Sequence, residues 1–306
     1  MAGDDTDTTS SDQLTSQDPV SRYPSISPPE QEQDAPGLQA TVTPKPDIGE
    51  LSYRGTGRLQ GRRALVSGGD SGIGAAVAVA FAREGADVAI TYLPAEEEDA
   101  ATVARIVTEA GRRAVQIPGD LTDPQFCTEV VERAVAELGG LDVLVNNAAK
   151  QVATQSLEEI TDEQLEQTFQ TNILAMFRVT RAALKHLAPG SAVINTTSVQ
   201  AYEPSPTLLD YATTKAAINA FTKGLAQQLA SRGIRVNAVA PGPIWTPLQP
   251  SGGTPTEDLP EFGQSVPLGR AGQPTEVAPA YVFLASSESS YVLGETLNVN
   301  GGSPTP

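Results

Sequence analysis

Residues 62–92 read RRALVSGGDSGIGAAVAVAFAREGADVAITY, and this stretch decides the fold. Two short apolar runs, RRALVS and DVAITY, flank a glycine-rich turn and a helix-length segment of small apolar residues. Runs of that kind read as strands of a buried sheet. Gly68, Gly72 and Gly74 follow the spacing Gly-x-x-x-Gly-x-Gly. Such glycines let the chain turn sharply, admit a pyrophosphate close to the backbone, and open a helix whose N-terminus favours negative charge. A glycine-rich turn alone says little; its place between a first strand and a first helix is what gives it meaning. The alternative is a tight turn that holds no ligand.

Outward from this unit the alternation continues through AVQIP, LDVLVN, SAVINTT, IRVNAVA and TLNVN. Seven strands with helix-length spacers predict an α/β doubly wound fold: a parallel seven-stranded, Rossmann-like sheet with helices on both faces, in a single domain. Asp123 with Pro124 can cap one helix, and Thr161 with Gln164 matches a capping box ahead of one long helix, TDEQLEQTFQTNILAMFRVTRAALKHL. Residues 1–55 differ in kind. They are acidic and rich in Pro, Ser and Thr, with too few large apolar side chains to offset their ordering entropy, and read as an extended N-terminal tail on a domain spanning 56–306. Tyr23, Ile26, Leu38, Val42, Ile48, Leu51 and Tyr53 are anchors by which the tail can lie over the domain or a neighbouring subunit. A solvated leader is the alternative.

With 306 residues, 39% of them hydrophobic, the chain can bury one large core. It has no apolar run long enough to span a membrane, and its start, MAGDDTDTTSSDQ, is acidic where a secretory signal is basic and then apolar. A cytoplasmic location is expected. The net charge of -17 opposes nucleic acid and anionic lipid as partners, and leaves small molecules. Cys127 and His186 are the sole residues of their types, so neither a disulfide nor a metal site is expected, and a Ser-His-Asp triad would have to use a histidine in a helix's last turn.

The candidate chemistry lies in SVQAYEPSPTLLDYATTK, residues 198–215. Residues four apart on a helix share a face, so Tyr211 and Lys215 point the same way in LDYATTKAAINAFTKGLAQQLA. An ammonium near a phenol favours the phenolate, so Tyr211 is expected to titrate roughly three pH units below its ordinary value, a difference of about 4 kcal/mol. It would then exchange protons near neutrality. Pro204 and Pro206 interrupt the preceding segment, so Ser198 must arrive from the end of the SAVINTTS strand. The Tyr–Lys spacing alone also fits an incidental pair on a helix surface.

Taken together these residues resemble the short-chain dehydrogenase/reductase family over positions 57–302. The motifs fall in family order: SGGDSGIG at 67–74, GDL at 119–121, NNAA at 146–149, TN at 171–172, Ser198, YATTK at 211–215 and PGPIWT at 241–246. The tail extends the likeness to bacterial oxidoreductases grouped with general stress proteins and glucose-dehydrogenase-like enzymes. The resemblance implies an NAD(P)-dependent oxidoreductase that interconverts an alcohol with an aldehyde or ketone, using NAD(H) or NADP(H) and no metal. It makes Tyr211 the acid/base. Lys215 would hold the nicotinamide ribose and act on the tyrosine, Ser198 would hydrogen-bond the substrate oxygen, and Asn172 would hold a relay water.

For the dinucleotide, the resemblance assigns Gly68, Asp70, Ser71, Gly72, Ile73 and Gly74 in the turn, then Asp120 at the adenine amino group with Leu121 beside the ring. Asn147 and Ala148 follow β-strand four, and NNAA departs from the usual glycine ending, placing the Ala149 methyl beside the nucleotide. Pro241 and Gly242 would flank the nicotinamide, Ile244 offer its backbone and Thr246 its hydroxyl to the carboxamide. WTPLQPSGGTPTEDLPEFGQ reads as a mobile lid with Trp245, Leu248 and Phe262 as its apolar contacts, though Trp245 fits a packing role equally well. A homotetramer is implied, built on the long helices and the last strand. The rival readings are a non-catalytic nucleotide-binding stress or scaffold protein, and an interaction protein working through the acidic tail.

Coenzyme choice turns on the end of the second strand. Thr91 takes the place of the usual carboxylate, Leu93 stands where related enzymes can place an arginine, and Ser71 is neutral. Glu96, Glu97 and Glu98 suit the start of the next helix, with one able to fold back. Dual use is expected, with efficiencies within about tenfold, or about 1.4 kcal/mol.

Overall fold

The computed structural model describes residues 12–305. Seven strands form one sheet: β1 (Arg63–Ser67), β2 (Asp87–Tyr92), β3 (Ala114–Pro118), β4 (Leu141–Asn146), β5 (Leu187–Thr196), β6 (Arg235–Pro241) and β7 (Thr296–Val299). Their order is β3-β2-β1-β4-β5-β6-β7 and every pairing is parallel. The strand order reverses between β1 and β4, and such a switch point opens a crevice at the carboxyl ends of the strands. Helices α1 (Gly72–Arg83), α2 (Glu97–Glu109) and α7 (Pro274–Ala285) cover one face. The other face carries α3 (Phe126–Leu138), α5 (Ala175–Ala183) and α6 (Leu209–Leu229). Because strand side chains alternate, Val66, Val88 and Ile90 enter the first core while Leu65 and Ala89 enter the second.

The long helix expected before β5 is broken. It runs as α4 (Asp162–Phe169), a π-helical turn (Gln170–Leu174) and then α5. Thr161 caps α4 by accepting from the Gln164 amide at 3.1 Å. The reciprocal half of the capping box is missing, because the Gln164 side chain turns to Thr154 and Asp210 instead. Asp123 accepts from the Gln125 amide at 2.8 Å, one step ahead of α3.

From residue 12 the tail is an arm laid along the domain. Val42, Ile48 and Tyr53 are buried against it as expected, but Leu51 is 82% exposed and anchors nothing. Polar contacts fix the path: the Asp47 amide donates to the Gln273 side chain, and the Asp47 carbonyl accepts from the Thr275 amide at the start of α7. A solvated leader was expected over residues 1–18; of these, residues 1–11 lie outside the described residues, while Gln13 accepts from the Arg54 amide at 2.8 Å. No helix among the described residues is long and apolar enough to cross a membrane.

Candidate active site

The carboxyl ends of β1, β4, β5 and β6 bring the sequence-derived residues to the crevice. Gly68 and Gly72 adopt φ of +60° and +50°, which side-chain-bearing residues rarely do. A Cβ on Gly74 would lie 1.7 Å from the Gly68 carbonyl oxygen, so only glycine closes the turn. Asn147, just after β4, holds this turn from the far side of the switch point. Its side-chain amide donates to the Ser67 and Gly68 carbonyls, while the amides of Asn147 and Ala148 donate to the Ser67 hydroxyl. Among the described residues no acceptor is paired with the amides of Ile73 and Gly74. These amides open α1, where a phosphate is favoured. Ala149 needs no special backbone, since no described non-glycine residue has positive φ.

Tyr211 sits in the first turn of α6 and is 7% exposed. The Ser198 hydroxyl, two residues past the end of β5, lies near its phenol and accepts from the Gln200 amide at 3.2 Å. Lys215, one turn on, is fully enclosed; its Nζ donates to the Thr196 carbonyl at 2.9 Å and stands 5.2 Å from the centre of the Tyr211 ring. The expected lowering of the Tyr211 pKa does not follow from these protein groups. Burial pushes the phenol up to about 12, with the nearby Ser198 hydroxyl offsetting only part, and burial pulls Lys215 down to about 7. A lysine that loses its own charge to desolvation near neutrality supplies little field to a neighbour.

Asn172 lies in the π-helical turn, a local widening often found at functional sites. Its Oδ1 accepts from the Lys150 amide at 2.7 Å, and its Nδ2 donates to the Lys150 carbonyl at 2.9 Å and to Thr214 Oγ1 at 3.0 Å. It therefore ties the segment after β4 to α6, beside Lys215. A cavity of about 10 Å³, lined by Asn172, Thr171, Thr196 and Ile218 among others, adjoins it. That is room for one water.

Thr246 packs its methyl against Gly72, joining the segment after β6 to the glycine turn. Pro241 ends β6, Gly242 leaves no space for a Cβ beside Asn300, and Ile244 bridges to Gly272. Leu121 is buried against the α3 face. Asp120 is exposed and uses one oxygen in a turn, accepting from the Thr122 amide at 2.8 Å.

Two expectations fail here. Of the two roles open to Trp245, packing is the one observed: it is 0% exposed, packs with Val42, Leu259 and Phe262, and donates its indole N–H to the Pro44 carbonyl of the arm at 2.6 Å. The segment read as a mobile lid is bound down by the arm, which also bonds Pro250 through Gln33. Second, the region around β2 is not neutral. Thr91 is buried with an unpartnered hydroxyl, while Asp70, Glu96 and Asp99 cluster nearby. Gln39, from the arm, accepts from the Gly72 amide at 2.8 Å. Sequence reasoning missed Gln39 because it lies far from the turn in a segment without periodicity. It also missed Tyr281, whose hydroxyl hydrogen-bonds Thr196 at 2.7 Å beside the carbonyl that holds Lys215.

A seven-stranded parallel sheet, a glycine turn at its switch point and a buried Ser–Tyr–Lys set define a dinucleotide-dependent oxidoreductase of the Rossmann type. A family model described as Enoyl-(Acyl carrier protein) reductase matches residues 68–303. Among curated relatives, the uncharacterized oxidoreductase YhxD of Bacillus subtilis is 58% identical over 280 residues, 90% of this chain and 94% of the relative. The glucose and ribitol dehydrogenase of Daucus carota is 48% identical over 90% of this chain and 96% of its own. The NADPH-dependent aldehyde reductase 1, chloroplastic, of Arabidopsis thaliana is 49% identical over 87% and 94%. A short chain dehydrogenase from Burkholderia cenocepacia, solved in complex with NADP, superposes with a TM-score of 0.74 at 38% identity over 80% of this chain and 98% of its own. The chain belongs to the short-chain dehydrogenase/reductase family. It is an oxidoreductase of that type, and its coenzyme is NAD(H) or NADP(H).

Proposed function

We propose that the protein interconverts an alcohol with an aldehyde or ketone, with Tyr211 as acid/base. The observation that carries this is the enclosed Tyr211 phenol with Ser198 near it and Lys215 one turn behind, its Nζ 5.2 Å from the ring centre. The turn at Gly68–Gly74, with two unpaired amides and the unpartnered Asp70 Oδ2, fits a dinucleotide. When bound, that coenzyme supplies or accepts the hydride at the carbonyl carbon. The protein's part is the proton. Tyr211 gives its hydroxyl proton to the carbonyl oxygen in reduction and takes it back in oxidation, a role that a phenol kept protonated by burial can begin. Ser198 donates to the same oxygen, polarising the bond and fixing its distance from the phenol. Lys215 would return a proton to the tyrosine by way of the Asn172 side of the site, where the cavity has room for one water.

The names of two relatives support a sugar, polyol or aldehyde as substrate. In this reading residues 56–306 are the catalytic domain, residues 1–55 its extension, and the protein is a cytoplasmic homotetramer. The test is a panel of sugars, polyols, aldehydes and ketones followed by coenzyme absorbance with both NAD(H) and NADP(H). Turnover of at least one class is expected. Coenzyme binding with no turnover across the panel would instead favour a nucleotide-binding protein without catalysis.

A further inference from the structure

Tyr281 puts a phenol on α7 at a place where packing asks only for an apolar side chain. It is 0% exposed and lies in one core with Val145, Ile194 and Val239. A hydroxyl there loses its hydration and needs a partner. Burial holds the phenol well above the ordinary tyrosine range, with the Thr196 hydrogen bond offsetting only part, so it keeps its proton. Its oxygen lies 2.7 Å from Thr196 Oγ1, and Thr196 Oγ1 lies 3.3 Å from Asn147 Oδ1. Neither hydroxyl takes part in the proton path described for Tyr211.

The direction of these bonds follows from what each atom can do. Asn147 Nδ2 spends its protons on the Ser67 and Gly68 carbonyls at 3.2 and 3.0 Å, which leaves its oxygen facing Thr196. That oxygen only accepts, so the single proton of the Thr196 hydroxyl points to it, and the 2.7 Å bond is donated by Tyr281. The result is one ordered chain from α7 to the glycine turn. Thr196 stands at its middle, at the carboxyl end of β5, and its carbonyl receives Lys215 Nζ at 2.9 Å. The next residue adds a second tie, the Thr197 hydroxyl donating to the Lys215 carbonyl at 2.8 Å. Since α7 and α6 cover opposite faces of the sheet, Thr196 is where the helix carrying Tyr281 meets the helix carrying Lys215. Bonds in such a chain polarise one another, so losing the first donor weakens the later links.

We infer that Tyr281 is a positioning residue, which through the Thr196 hydroxyl holds the glycine turn and the carbonyl anchor of Lys215 in one fixed relation. This rests on the function proposed above, in which the turn and Lys215 serve a dinucleotide. Tyr281 acts through Thr196 and Asn147 rather than on the substrate.

The test is coenzyme binding, read by nicotinamide fluorescence on titrating NADH and NADPH into the full-length protein, with a melting curve for each variant. Tyr281→Phe removes the hydroxyl and keeps the ring. Thr196→Val removes the middle hydroxyl and keeps the shape, whereas Thr196→Ser keeps the hydroxyl and drops a methyl. Tyr281→Phe and Thr196→Val should each weaken the better-bound coenzyme about three- to tenfold, the size of one lost hydrogen bond. The double variant should be no weaker than the worse of the two, because both break the same chain. Thr196→Ser should bind within about twofold of wild type. Wild-type affinity in Tyr281→Phe, with only a lower melting temperature, would reduce the residue to packing and overturn the inference. Fully additive effects, or a Thr196→Ser protein as impaired as Thr196→Val, would overturn it too. Failure of the wild-type protein to bind either coenzyme is a separate result, which would bring down the dinucleotide reading and the inference with it.

Discussion

Lys215 Nζ stands 5.2 Å from the centre of the Tyr211 ring and is anchored to the Thr196 carbonyl rather than to the phenol. The pair is held apart, and each group is pushed toward its neutral form by burial. Protein groups alone therefore leave the tyrosine a proton donor, and changes at the two positions should have separable effects.

For Tyr211→Phe we expect coenzyme affinity within about twofold of wild type and turnover lower by about 10²–10⁴, the size of a lost general acid. Lys215→Ala should reduce both, since the role proposed for that side chain joins the coenzyme ribose to the phenol. Near-normal turnover in Tyr211→Phe, measured in both reaction directions, would remove Tyr211 from the proton-transfer role.

The same pair makes a pH signature in stability. Lys215 titrates near 7 in the folded protein and well above that when unfolded, so between those values the unfolded chain binds more protons and stability rises with pH. Tyr211 has the opposite sign, since its folded value near 12 lies above the unfolded one and stability falls from about pH 10 upward. Lys215→Met should therefore flatten the rise between about pH 7 and 10, by at most about 1.4 kcal/mol per pH unit. Denaturant titrations of both proteins across that range give the difference. Parallel curves would mean that the lysine keeps its charge in the fold.

Trp245→Ala should act on stability before substrate. Truncating a fully buried tryptophan costs about 3–5 kcal/mol, and here it also removes the indole bond to Pro44. A lower melting temperature is expected, together with faster tryptic cleavage after Arg54 as the arm loosens. A wild-type melting curve with a raised KM would restore Trp245 to the substrate pocket.

Assembly has a candidate surface on α5 and α6. Phe177 is 49% exposed and packs on Phe221 with ring centres 4.4 Å apart, beside a groove that also takes in Leu184 and Leu225. Wild-type protein should give a tetramer mass by light scattering at micromolar concentration. Phe177→Glu, by placing a charge in that apolar face, should shift it to smaller species. A monomeric wild type would refute the homotetramer.

Much of this protein was legible in the chain. All seven strands fall within a few residues of their apolar runs, because a buried parallel sheet demands continuous Val, Ile and Leu and so leaves a local mark. Gly68, Gly72 and Gly74 were legible for a similar reason: the turn needs left-handed or crowded backbone that only glycine supplies. Tyr211 and Lys215 came from helical spacing, and Ser198 from the prolines that exclude it from the helix.

Tertiary structure decided what depends on meetings between distant segments. The π-helical turn at Asn172 leaves no periodic signature in an otherwise helical sequence. The titration of Tyr211 follows from how completely the crevice encloses it and Lys215, not from their spacing. Trp245 and Gln39 found their partners in Pro44 and Gly72 only when the arm folded back over the domain. Local propensity is written residue by residue, whereas burial and long-range hydrogen bonding belong to the packed chain, and it is these that set the titration of Tyr211 and Lys215 and the path of the arm.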